Sequence, residues 1–227
     1  MEMLSIRRGF RADHSSTSYE FLAAEEPLDE EARKEVGSLS SRTNPSRRRA
    51  SFIYHQEGYG IPGGWKDLIK NYYDVMYSES YGWWTISFAF NLTDKETREE
   101  LREYDFRGIE NLGIEVEVEG ERVVLTIYAR LNPLPPQYED WSIFDGQDLG
   151  GYEPEDYLLA LFTALRVKII NGDYRPLHSV WEEYGLPVPE EEEELGLKEE
   201  REVPKPSEGE EISDPVVNTF ASLLKRV

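Results

Sequence analysis

An α+β fold, a mainly antiparallel sheet with helices flanking it on one side, a helical hairpin and a tethered C-terminal helix, is predicted by three features of this 227-residue chain. Residues 83–90 alternate without a break: Trp84, Ile86, Phe88 and Phe90 share one face, and Trp83, Thr85, Ser87 and Ala89 the other, which is the period of a strand. Ile114, Val116 and Val118 alternate with glutamates, turn at Gly120 and return as the apolar run Val123 to Leu131, a hairpin. Leu158, Leu161, Phe162, Leu165 and Ile169 then recur at helical spacing.

The remaining elements follow in order. Met3 to Ile6 and Thr17 to Leu22 read as short strands, the second with Tyr19 and Phe21 alternating against Ser18 and Glu20. Pro27 to Val36 begins with acids, continues with helix formers and stops at Gly37, a surface helix. Residues 38–46 form a loop into Arg47-Arg48-Arg49 and a strand over residues 50–55. Four glycines and a proline in residues 58–64 demand a turn, after which Leu68, Ile69, Tyr72 and Tyr73 mark a helix. Residues 95–104 are a charged helix. The 158–169 helix ends at Asn171-Gly172, a left-handed cap, and a partner helix carries Tyr174, Leu177, Val180, Trp181 and Tyr184 to Gly185.

The chain thus divides into an α+β unit over residues 1–186, an acidic linker over 187–212 and a C-terminal helix over 213–227. Residues 186–212 hold eleven Glu, three Lys/Arg and four Pro, with little to bury, which is the composition of a disordered segment. Ser213-Asp214-Pro215 is a helix-start signal, and Val216, Val217, Phe220, Leu223 and Leu224 make one apolar stripe before Lys225-Arg226. Such a tethered stripe reads as a docking element, engaging its own core or a partner.

Composition excludes several function classes. There is no cysteine, which removes disulfide frameworks, thiolate zinc sites and cysteine nucleophiles, and suits a reducing cytoplasm. No secretory leader pattern and no run of apolar residues near membrane-spanning length occurs, so a soluble protein is expected. The net charge of −21 disfavours nucleic acid as a partner. It is unevenly placed, because residues 1–50 carry nine Lys/Arg against nine Asp/Glu. Abundant Glu with Lys and Arg fits a thermophilic source. No metal site or cofactor is expected: the three histidines lack any H-x-x-x-H or H-E-x-x-H spacing, residues 58–64 lack the phosphate-loop ending, and Asp145-Gly146-Gln147-Asp148 lacks the oxygens of a calcium loop.

The N-terminus carries the densest chemistry. Arg7-Arg8-Gly9-Phe10-Arg11-Ala12-Asp13-His14-Ser15-Ser16-Thr17-Ser18 joins guanidinium forks to a run of hydroxyls, closed by Phe21. This box resembles the Arg-x-Gly-Phe step, serine-rich run and closing aromatic at the start of many uncharacterised prokaryotic and phage proteins. The matching residues are Arg7 or Arg8, Gly9-Phe10, Ser15 to Ser18 and Phe21; Arg11-Ala12-Asp13-His14 depart from the pattern. The resemblance covers about fifteen residues and implies no established activity.

Two functions from different classes remain. The leading expectation is a non-enzymatic adaptor or assembly component. It would bind a protein partner, or a second copy in a homo-oligomer, through Val216, Val217, Phe220, Leu223 and Leu224, with Tyr77, Tyr81 and Trp83 as a second surface and the box as an auxiliary one. The alternative is an enzyme or sensor for a phosphorylated or otherwise anionic small molecule. Arg8, Arg11, Arg47 and Arg49 would then bind the anion, and His14, Ser15 and Ser16 are the catalytic candidates. Adjacent side chains on an extended segment diverge, so the box makes no triad by itself.

Overall fold

The computed structural model describes residues 17–41, 43, 45–55, 60–132, 143, 149, 156–185 and 213–225. The box up to Ser16, Arg42 and residues 186–212 lie outside these. The predicted α+β class is what the chain forms: one seven-stranded sheet in the order β2-β1-β3-β4-β7-β6-β5, every neighbouring pair antiparallel. The strands are β1 (Thr17–Leu22), β2 (Arg49–Tyr54), β3 (Val75–Ser80), β4 (Trp83–Asn91), β5 (Phe106–Arg107), β6 (Gly113–Glu119) and β7 (Arg122–Ala129). The helices are α1 (Glu30–Ser38), α2 (Lys66–Asn71), α3 (Lys95–Arg102), α4 (Tyr157–Ile170), α5 (Arg175–Tyr184) and α6 (Pro215–Leu223).

Two-residue turns set the central registers. β3 reaches β4 through Tyr81-Gly82, both at positive φ (53° and 82°), the backbone that matches strand twist in a tight hairpin. Gly120, at φ 66°, starts the equivalent turn between β6 and β7. The β3 strand includes Tyr77, one of the residues expected at a second surface. Its inward residues are Val75, Tyr77 and Glu79, fixed by their pairing with Phe88, Ile86 and Trp84.

Helices cover both faces of the sheet, a difference from the one-sided layout predicted. On the first face, Phe88, Phe90, Ile114, Val123, Leu125 and Ile127 pack under α4, α5 and α6. On the second, Phe21, Ala50, Phe52, Met76, Ala89 and Val124 pack under Val36 of α1 and Leu68 and Ile69 of α2. The cause lies in β1, β3 and β4: alternation turns apolar residues to both sides, and each side needs cover. The outer edge of β2 is closed by its own preceding loop, with the Arg49 carbonyl accepting from the Ser46 amide at 2.8 Å and the Ser51 carbonyl from the Thr43 hydroxyl at 3.2 Å.

Asp156 caps α4 through Oδ1, which accepts from the Leu158 and Leu159 amides at 2.9 and 3.1 Å. The helix is buried nearly all round, including Leu159, Ala160, Thr163, Ala164 and Arg166 outside the predicted stripe. The sheet lies on one side of it and α6 packs on another.

α6 docks within the chain. Val216, Phe220 and Leu223 are fully or almost fully buried, and Val217 and Leu224 are buried too. Asp214 caps α6 and pairs with Lys168 of α4. Leu224 bridges Leu131, the Asn132 amide donates to the Leu223 carbonyl at 2.7 Å, and the Lys225 amide donates to the Arg130 carbonyl at 2.8 Å. The Tyr184 hydroxyl lies 2.9 Å from the Arg130 carbonyl, 3.2 Å from the Lys225 carbonyl and 3.1 Å from the Arg130 amide that donates to it. Truncating a fully buried aromatic removes its transfer energy and leaves a cavity, so Phe220→Ala should destabilise the whole chain by about 3–5 kcal/mol in urea denaturation. A loss below about 1 kcal/mol would mean that the helix is not docked.

Candidate functional site

The first face changes character across the sheet. It is apolar from β4 to β6, but over β2, β1 and β3 the inward positions include Arg49 and Ser51, Ser18 and Glu20, and Tyr77 and Glu79. Register places Glu20 directly between Ser51 on β2 and Tyr77 on β3. Asp156, at the start of α4, meets this strip from the helical layer.

The contacts form one cluster around a single cation. The Ser51 hydroxyl donates to Glu20 Oε2 at 2.6 Å, and Arg49 Nη2 reaches the same oxygen at 3.3 Å. Arg49 Nη2 lies 3.7 Å from Asp156 Oδ2, to which the Tyr77 hydroxyl donates at 3.2 Å. Glu20 is 3% exposed, Asp156 0% and Tyr77 1%, whereas Ser51 is exposed and Arg49 partly so. The cluster therefore has a closed floor and a solvent-facing mouth on the β2 side.

Burial dominates the electrostatics. It pushes the Glu20 carboxyl up to about 7, against the lowering influence of Ser51 and Arg49. It pushes Asp156 up to about 6, against the Leu158 and Leu159 amides, Arg49 and Tyr77. Tyr77 is driven well above its ordinary value by burial and by the neighbouring carboxylates. Burial alone would lower Arg49, but the charges of Glu20 and Asp156 hold it raised, so it stays cationic. Two carboxyls beside one fixed cation in a common low-dielectric site are coupled, and both are raised towards neutrality.

The arginines of the 47–49 run separate. Arg47 is exposed. Arg48 turns to the end of β1 and donates to the carbonyls of Ala23, Ala24 and Glu25 at 2.7, 2.9 and 3.3 Å. Only Arg49 enters the cluster, because alternation along β2 sends its neighbour elsewhere. Arg8, Arg11, His14, Ser15 and Ser16 lie outside the described residues. Tyr77, expected as a surface residue, is instead core: it stacks on Trp84 at 5.9 Å and meets Phe162 edge-on at 5.7 Å. Its β3 register turns it inward. Tyr81 and Trp83 are exposed, at 42% and 39%, and the Arg130 guanidinium lies 3.7 Å over the Trp83 ring. Val216, Val217, Phe220, Leu223 and Leu224 sit against the chain's own core.

Glu20, Ser51 and Asp156 were not legible as a site. Glu20 read as the solvent side of a half-buried strand, and its contact with Ser51 spans 31 residues. The one local signal was Asp156 immediately before an apolar helical run. Among the described residues no group of three or more His, Asp or Glu is arranged to hold a metal ion. Among them too, no helix is long and apolar enough to cross a membrane. Comparison with protein-family models, with curated proteins and with solved structures yields no match for this chain.

The raised carboxyls have a consequence for stability. Native Glu20 holds its proton up to about pH 7, whereas the unfolded chain releases it near the ordinary value of 4.5. Proton binding favours the native state in that interval, and this contribution is lost as pH rises through it. Glu20→Gln removes the ionisable group. Relative to this variant, the wild type should lose on the order of 2 kcal/mol between pH 5 and pH 8, read from paired urea melts. Parallel pH curves would contradict the assignment.

Proposed function

We propose that this protein is an enzyme or sensor for a small molecule, with its site at the Glu20–Arg49–Asp156 cluster. Arg49 receives an oxyanion there, and the two carboxyls take up the accompanying proton. The observation that supports this most is the sharing of one partly exposed guanidinium between two desolvated carboxyls. A structural ion pair needs one acid per cation and draws the acid's pKa down; here both acids are pushed up towards neutrality. An anion arriving at Arg49 competes with the carboxylates, so its binding favours their protonated forms.

The N-terminal box runs directly into β1, which carries Ser18 and Glu20 to the inner face. Arg8, Arg11, His14, Ser15 and Ser16 stay in this reading as sequence candidates only, since the box joins β1 at Thr17 and it is Leu22, at the other end of the strand, that pairs with Arg49. A cytoplasmic, reducing compartment belongs to this reading on the absence of cysteine.

Isothermal titration with inorganic phosphate, run at pH 7 in two buffers of different ionisation enthalpy, tests it. Binding with net proton uptake is expected, weakened at least tenfold, about 1.4 kcal/mol, by Arg49→Gln. Equal binding by wild type and variant would sink the reading.

The adaptor or assembly reading has one supporting observation of its own: Tyr81 and Trp83 are the exposed large aromatics among the described residues, and Arg130 holds the Trp83 ring in place. Under it, the protein self-associates in analytical ultracentrifugation, and Trp83→Ala returns it to monomer with its melting temperature kept. Identical sedimentation of the two proteins would remove this reading.

A further inference from the structure

We propose that Ser51 is a nucleophile for acyl transfer, with Glu20 as its general base and Arg49 as the cation that meets the developing oxyanion, and that the substrate is a carboxylic ester. The inference rests on the reading that Arg49 receives an oxyanion. It adds that this charge develops during reaction instead of arriving with the ligand.

Geometry assigns the roles. Ser51 is an exposed residue, open to a substrate from solvent, while the carboxylate to which its hydroxyl donates at 2.6 Å is buried. That is the pairing of accessible nucleophile and enclosed base that hydroxyl activation requires. Arg49 lies two residues away on the same strand face, with Nη2 at 3.3 Å from the same carboxylate oxygen. Asp156 Oδ2, which accepts from the buried Tyr77 hydroxyl, lies 3.7 Å from the same Nη2 and helps to fix the guanidinium.

Charge selects the substrate class. An incoming anion such as phosphate must bring Glu20 and Asp156 to their protonated forms, which removes the base, whereas a neutral ester leaves Glu20 free to act. The ester's carbonyl oxygen becomes negative only as the new bond forms, which is when Arg49 stabilises it most. The Ser51 oxygen forms a bond to the carbonyl carbon, its proton passes to Glu20 Oε2, and the carbonyl π electrons move to oxygen beside Arg49. Collapse of the tetrahedral species expels the alkoxide, which takes the proton back from Glu20 and leaves as an alcohol. Water then gives a proton to Glu20 as its oxygen bonds to the acyl carbon; the tetrahedral species expels the Ser51 oxygen, which takes that proton back from Glu20, and a carboxylic acid is released.

A second hydroxyl in the chain shows why proximity alone is insufficient. Thr97 donates to Asp94 at the same 2.6 Å, yet Asp94 caps α3 and its bonds from Thr97 hold it below the usual carboxylate range, making it a poor base. Glu20 is shifted in the opposite direction. Thr17 shares a hydrogen bond with the Ser80 hydroxyl, and buried Ser87 with that of Thr126.

The test is labelling of the full-length protein with an alkyl fluorophosphonate, followed by intact mass and peptide mapping. One adduct on Ser51 is expected, absent from Ser51→Ala. Glu20→Gln should slow labelling about 10²-fold and remove the inflection near neutral pH from its rate profile. Ser51→Ala should retain a cooperative thermal melt, so that loss of the adduct is not loss of the fold. No adduct on the wild type, an adduct on Ser15 or Ser16, or labelling indifferent to Glu20→Gln would each overturn the proposal. If phosphate binding still depends on Arg49 in that case, only the nucleophile is lost; if it does not, the underlying site fails with it.

Discussion

The constraint on which this molecule turns is the burial of two carboxyls, Glu20 and Asp156, around the single guanidinium of Arg49. Each group comes from a different part of the chain, β1, β2 and the start of α4. None can leave without exposing a desolvated partner, a loss that is expensive in a low-dielectric interior. Asp156 divides its two oxygens between jobs: Oδ1 caps α4 and Oδ2 faces Arg49 and Tyr77. The helical layer is thereby tied to the polar half of the sheet, beside the contact of Tyr77 with Phe162.

The other cations of this acidic chain are held in related ways, with different consequences. Arg166, 3% exposed, donates to the Ala89 carbonyl and pairs with Glu25, next to Asp74 and Arg122. It joins α4 to the loop after β1. Lys66 and Lys70 of α2 lie along Glu115, Glu117 and Glu119 on β6, where Glu115 and Glu117, although partly desolvated, are held below their usual range by their lysine partners. These partly exposed pairs orient α2 and contribute little stability each. Lys168 and Arg175 gather on Asp214 and bring the start of α6 to α4 and α5. The first cluster differs from all of these in having more acid than cation in a buried place.

Much of the architecture was written in local pattern. The unbroken alternation of residues 83–90, the Gly120 turn, and aspartate before each of the α4 and α6 runs are short-range signals, and short-range chemistry decides them. The two-sided cover of the sheet was not readable, because Ser18 and Glu20 look like a solvent face until β2 and β3 are placed beside them. Nor was the seat of α6, since its stripe of Val216, Phe220 and Leu223 is equally suited to a partner and to α4. The candidate site failed to show for the same reason: the hydroxyl-rich box draws attention to consecutive residues, whereas Glu20, Ser51 and Asp156 meet only through register and a helix cap.

The most direct test of a buried pair poised to exchange a proton is a ¹³C-detected pH titration of the Glu and Asp side-chain carboxyls, assigned with Glu20→Gln and Asp156→Asn. The account predicts a Glu20 midpoint of about 7 and an Asp156 midpoint of about 6, each displaced when the other is replaced. Two independent midpoints near the ordinary carboxylate value of about 4 would contradict it.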